Sequence, residues 1–165
     1  MIADFSEKAQ KIIAVAESIA FDFGHSSVGS EHLLLSFLKV KENKLKMLLE
    51  KHNITYELVK NDLLSLFENK ETLPFYMEYT PVFREILEKS IKESKKIGED
   101  KVSVEVLALE TIRKKDSLLC ELLERYGCDF ECIVENLKVT RVSVLESVEE
   151  LTNLNKKALQ NPVNV

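Results

Sequence analysis

The 165-residue sequence predicts an all-α fold, two tandem four-helix repeats packed as a pseudo-twofold eight-helix domain. Three observations lead there. The chain carries its own second copy: residues 5–67, moved by 74 positions, overlie residues 79–141 without a gap, and 13 of the 63 pairs are identical. Helix breakers are scarce, with four Gly and three Pro, while Leu, Ile, Glu and Lys abound. Apolar residues return at spacings of three and four, the period of a helix with one buried face. Four short helices leave an apolar side exposed, so the copies are expected to pack together and to present two related surface sites.

The elements follow in order. Ser6 is an N-cap, Ala9, Ile12, Ile13, Ala16, Ala20 and Phe23 form one stripe, and Gly24 stops the helix as a C′ glycine. In the second copy Thr80 caps, Pro81 takes the favoured first helical position, Phe83, Ile86, Leu87, Ile91 and Ile97 carry the stripe, and Gly98 stops it. The next helix starts at Gly29 and at its counterpart Ser103, which puts Glu31 and Glu105 in first turns. Leu33, Leu34, Phe37 and Leu38 continue one copy and Leu107, Ala108 and Ile112 the other. A third helix carries Leu45, Leu48 and Leu49, matched by Leu119, Leu122 and Leu123. A fourth begins at the caps Thr55 and Asp129, with Leu58, Val59, Leu63 and Leu66 matched by Cys132, Ile133 and Leu137. The double domain thus spans 1–141: repeat one 5–67, a linker 68–78, and repeat two 79–141. Residues 142–150 suit a short helix, and 142–165 read as a connector leading out of the domain.

Composition narrows the function. A net charge of −5 argues against nucleic acid as the main partner. No apolar run approaches the roughly 20 residues of a membrane span, and no secretory signal opens the chain, so the expected location is the cytoplasm. Asn53-Ile54-Thr55 fits a glycosylation sequon that such a chain would not use. Gly24 and Gly29 frame half of a phosphate loop, but Ser30-Glu31 stands where Lys-Ser/Thr is needed, and a helix precedes it. His25, His32 and His52 are too scattered for a metal site, and a surface or interface role suits His25 and His32 better. Cys120, Cys128 and Cys132 make a poor disulfide framework; Cys128 and Cys132, four apart, are either a metal or redox pair or small buried hydrophobes. No Ser/His/Asp or Cys/His set forms a catalytic triad.

Phe5-Ser6-Glu7-Lys8-Ala9, Gly24-His25 and Gly29-Ser30-Glu31-His32-Leu33-Leu34-Leu35 resemble the amino-terminal repeat domain of the Clp/Hsp100 AAA+ unfoldases. The second family half is matched by Tyr79-Thr80-Pro81 and Val102-Ser103-Val104-Glu105-Val106-Leu107-Ala108-Leu109. The resemblance covers residues 1–141 and is closest to the ClpC branch, whose repeats open on F-[ST]-E-[KR]-A-Q-K and Y-T-P. Leu151-Thr152 to Pro162-Val163 is similar to the connector before the first ATPase module, so the chain reads as an excised N-domain.

The resemblance implies a binding module without catalytic residues or a cofactor of its own; ATP and magnesium would belong to the parent's ATPase modules. It implies adaptors of the MecA or McsB type, substrates handed to the ClpP peptidase through the ring, and recognition of phosphorylated arginine at one site per repeat. The family's acidic residue in that role falls on Glu31 and Glu105. The chemistry is coherent: a carboxylate accepts two hydrogen bonds from a guanidinium, and a helix N-terminus offers unpaired N–H groups to a phosphate. Ser6 and Thr80 mark such termini and are expected near their glutamates. A first-turn Glu that merely complements the helix dipole is the alternative. Two other readings stand: the N-domain of a ClpA- or ClpB-like chaperone with a different adaptor or unfolded clients, and a stand-alone helical regulatory protein.

Overall fold

In the computed structural model, residues 1–66 and 77–138 are described. After a single 3-10 turn over Ile2–Asp4 the first half runs α1 (Glu7–Asp22), α2 (Ser30–Lys39), α3 (Lys44–Lys51) and α4 (Tyr56–Leu66). The second runs α5 (Pro81–Lys96), α6 (Val104–Arg113), α7 (Leu118–Arg125) and the described part of α8, residues 130–138. The predicted caps hold. Ser6, Thr80 and Ser103 side chains accept hydrogen bonds from the N–H groups of Ala9, Phe83 and Val106. Thr55 and Asp129 do the same for Leu58 and Cys132. Gly24 and Gly98 stop α1 and α5 at φ 74° and 79°, where a side chain would be strained.

α2 and α6 form the centre. Leu33, Leu34, Leu35 and Phe37, with Val106, Leu107 and Leu109, are fully buried in one continuous core. Each such side chain contributes roughly 1.5–3 kcal/mol of burial. α1 lies along α2 and α5 along α6, while α7 reaches back to α2 and α1 to α6. The halves are also stapled by polar contacts. Ser30 Oγ accepts a hydrogen bond from the Leu119 N–H at 3.2 Å. Tyr126 donates its hydroxyl proton to Asp62 at 2.6 Å, and Tyr79 donates to Glu17.

The pseudo-twofold is visible in the short parallel strands. β1 (Ser27–Val28) pairs with β2 (Glu78–Tyr79), placing Val28 opposite Tyr79. Phe5 bridges Val102 in parallel. Shifted by 74 positions, Phe5 becomes Tyr79 and Val28 becomes Val102. The two bridges are therefore one contact made twice, each time between halves.

Some stripe residues differ from expectation. Leu58 and Leu66 are exposed, as is Cys132, the counterpart of Leu58. Val59 and Leu63, with Ile133 and Leu137, carry the burial, because an i,i+4 pair already spans the contact face. Ile97 is exposed at the end of α5, and the small buried Ser90 and Ser94 take the inner positions instead. Linker residues 68–76 and the connector 142–165, with its expected helix at 142–150, lie outside the described residues. Among the described residues no helix is long and apolar enough to cross a membrane.

Candidate functional site

The strand pairing decides which residues meet. Val28 is followed by Gly29, the N-cap of α2, and its carbonyl accepts the N–H of Thr80 at 3.0 Å. Thr80 is itself the N-cap of α5. The start of α5 therefore lies beside the first turn of α2, which carries Glu31. By the same symmetry the Val102 carbonyl accepts the N–H of Ser6 at 2.9 Å. That sets the start of α1 beside the first turn of α6, which carries Glu105. Each notch thus joins an acid from one half to a helix start from the other. Pairing within a repeat, Ser6 with Glu31 and Thr80 with Glu105, is corrected to Thr80 with Glu31 and Ser6 with Glu105. Two parallel bridges between halves impose the exchange.

The two notches differ in detail. The Glu31 carboxylate folds back over Gly29: a Cβ at position 29 would lie 2.4 Å from Oε2, 2.8 Å from Oε1 and 2.9 Å from Cδ. The backbone there, at φ −118°, suits any residue; what a side chain at 29 would displace is the Glu31 carboxylate. Burial pushes the Glu31 carboxyl above the usual carboxylate range, and a hydrogen bond from its own backbone N–H opposes that shift. Ser103 stands at the equivalent of Gly29, and its Cβ denies Glu105 the same seat. α5 also has no acid in its first turn, whereas Glu7 occupies the first turn of α1.

Behind Glu31 lies a histidine pair. Gly29 has no side chain to cap α2, but its own N–H is satisfied by His32, whose Nδ1 accepts it at 2.9 Å. With that lone pair engaged, the His32 proton sits on Nε2 and is donated to His25 Nδ1 at 2.8 Å. Burial, and then the electrostatic influence of His25, lower the His32 pKa to about 3. The ring is neutral, so its 3.5 Å approach to Glu31 is not an ion pair. A surface role for His32 is corrected: it is 1% exposed, its ring held inside the start of α2 by the Gly29 N–H and by His25. Sequence patterns did not single out this pair; the absence of a side chain at Gly29, with His at the capping-box position, is the signal that would have.

The cysteines do not assemble a site. Cys120 is buried, Cys128 half-buried and Cys132 exposed. Cys128 precedes the cap of α8, so it shares no helical face with Cys132, and neither of the two is a fully buried hydrophobe; of the three only Cys120 is buried. Burial pushes the Cys128 thiol up to about 11, away from reactive thiolate character. Among the described residues, no group of three or more His, Cys, Asp or Glu could hold a metal ion.

Comparison with known proteins places the chain. The model of the family described as Clp repeat (R) N-terminal domain matches residues 4–126. The "Negative regulator of genetic competence ClpC/MecB" of Bacillus subtilis (strain 168) is 28% identical over 127 residues, covering 77% of this chain and 16% of that protein. The Hsp104 N-terminal domain from Candida albicans superimposes with a TM-score of 0.71 at 18% identity, over 84% of this chain and 91% of that one. A ClpV N-domain, solved in complex with a VipB peptide, gives a TM-score of 0.59 at 20% identity, over 79% of this chain and 82% of its own.

Proposed function

The chain belongs to the Clp repeat N-terminal domain family, and from that premise we propose that it is the substrate- and adaptor-receiving domain of a ClpC-like ATP-dependent unfoldase. The chain spans about a sixth of the length of the curated relative, 16%, so the ATPase work, with its ATP and magnesium, is assigned to a larger parent. The parent would unfold captured proteins and pass them to a ClpP peptidase. Adaptors of the MecA or McsB type would dock on this domain. The domain's own task is binding in the cytoplasm.

Its ligand, in this reading, is phosphorylated arginine on substrate proteins. The observation that carries it is the juxtaposition, in each notch, of a carboxylate and a foreign helix start. Glu31 would accept two hydrogen bonds from the guanidinium, and the start of α5 at Thr80 would receive the phosphate. Pro81 has no N–H and Phe83 donates to the cap, while among the described residues the N–H of Val82 has no backbone partner outside its helix. Glu105 and Ser6 form the related second site. The Glu31 site is the stronger of the two, because Gly29 seats its carboxylate and the first turn of α5 carries no acid.

Calorimetric titration with free phosphoarginine tests this. Saturable binding is expected, against none with arginine or inorganic phosphate alone at the same concentrations. Loss of the tighter phase in Glu31→Ala would locate it. No saturable binding, or equal binding of arginine, would overturn the phosphoarginine reading and favour a ClpA- or ClpB-like N-domain.

A further inference from the structure

Beside the Ser6–Glu105 notch lies a second feature. A pocket of about 140 Å³ opens between α1, the α2–α3 turn and the first residue of α6. Buried Ile12 and half-buried Val40 and Val104 form its floor. Lys8, Lys11 and Lys41, all exposed, rim it, with Glu42 as the one acid. Among the described residues none of these three lysines enters an ion pair. The turn is fixed: Asn43 donates to the carbonyls of Phe37 at 2.9 Å and Val40 at 2.7 Å, and accepts the Lys46 N–H at 2.9 Å. The pocket is therefore preformed.

Its pseudo-symmetric counterpart shows that this charge is particular to the first half. There Glu85 replaces Lys11 and Lys114 replaces Val40. Lys114 bridges Glu85 and, at 2.9 Å, Asp116. Lys115, the counterpart of Lys41, lies 3.8 Å over the Phe130 ring. In the second half every corresponding charge is answered from within. In the first half Val40 cannot bridge, and three cations face solvent on a chain whose net charge is −5.

We propose that this pocket seats an acidic side chain of a bound partner protein. A Glu or Asp carboxylate sits among Lys8, Lys11 and Lys41, and the apolar part of the same segment rests on Ile12, Val40 and Val104. Ammonium groups spread around an apolar floor suit a carboxylate on a methylene stem. The site is separate from Glu31 and does not depend on the phosphoarginine reading.

Fluorescence anisotropy with a labelled short peptide alternating Glu and Leu tests it, with the Gln-for-Glu peptide as its pair. The Glu peptide is expected to bind more tightly, with affinity falling as salt rises. The Lys8→Ala/Lys11→Ala/Lys41→Ala chain should lose about fivefold or more in affinity, as three weak exposed pairs together imply. Lys89→Ala/Lys92→Ala/Lys96→Ala, the same charge change on exposed α5 positions, should leave affinity unchanged. Glu31→Ala should also leave it unchanged. Equal binding of the two peptides, or equal losses in the two triple variants, would overturn the proposal. So would displacement of the peptide by an equal concentration of inorganic phosphate, which would mark a small-anion site.

Discussion

Replacing Gly29 with alanine separates the seat of Glu31 from the stability of α2. The backbone at 29 is extended, with φ −118° and ψ −177°, so alanine fits it without strain. Gly→Ala at an N-cap costs a few tenths to about 1 kcal/mol, and the lost glycine entropy of the unfolded chain offsets part of that. The net change in folding stability is therefore small. The side-chain consequence is large: the new Cβ falls 2.4 Å from Oε2 and 2.8 Å from Oε1, inside any permissible contact, so the carboxylate leaves its place over the helix start. A bidentate, charge-assisted pair with a guanidinium is then lost or bent, worth roughly 1.5–3 kcal/mol, or about 10- to 150-fold in affinity. Thermal unfolding and phosphoarginine titration, run on the same sample, read the two effects apart. Binding unchanged within about twofold, with the fold intact, would refute the link between the Gly29 seat and recognition.

Further expectations concern the seam and the pH response. Ser30→Ala removes the acceptor for the Leu119 N–H between halves and should cost about 1–3 kcal/mol, read from the urea midpoint; an unchanged midpoint would mean that seam bond contributes nothing. Tyr126→Phe deletes the hydroxyl bonded to Asp62 and should cost about 0.5–1.5 kcal/mol by the same measurement. Glu31→Gln should be more stable than the parent at neutral pH, because burial raises the folded-state pKa of Glu31. A raised folded pKa favours the protonated form in the folded state, so stability is lost as pH rises through it. The advantage of Glu31→Gln should shrink as pH falls toward the ordinary carboxylate value of 4.5, and a melting-temperature difference that grows on acidification would contradict this.

Much of the fold was legible because it was written twice. Ser6, Thr80 and Ser103 announce helix starts through side chains that cap, and Gly24 and Gly98 announce ends through a φ that only glycine adopts cheaply. The stripe of α4 was legible only in part, since Leu58 is apolar yet faces out; hydrophobicity says that a residue tolerates burial, not that it is buried. Glu31 and Glu105 are legible as equivalent first-turn acids, identical between the two copies. Their partners were not, because the pairing depends on Val28 with Tyr79 and Phe5 with Val102, contacts more than 50 residues apart that no local period reports. The histidines read as surface or interface residues because the bond from the Gly29 N–H to His32 is a three-residue relation with an uncommon side chain in the capping-box role.

A double-mutant cycle tests the exchange between halves most directly. In a Glu105→Ala background, phosphoarginine affinity is measured by calorimetry for Glu31→Ala, Thr80→Ala, Ser6→Ala and the two pairings with Glu31→Ala. Glu31 and Thr80 should be coupled by about 1 kcal/mol or more, while Glu31 and Ser6 should add to within about 0.5 kcal/mol. Coupling of Glu31 to Ser6, with additivity between Glu31 and Thr80, would contradict a site built from the acid of one half and the helix start of the other.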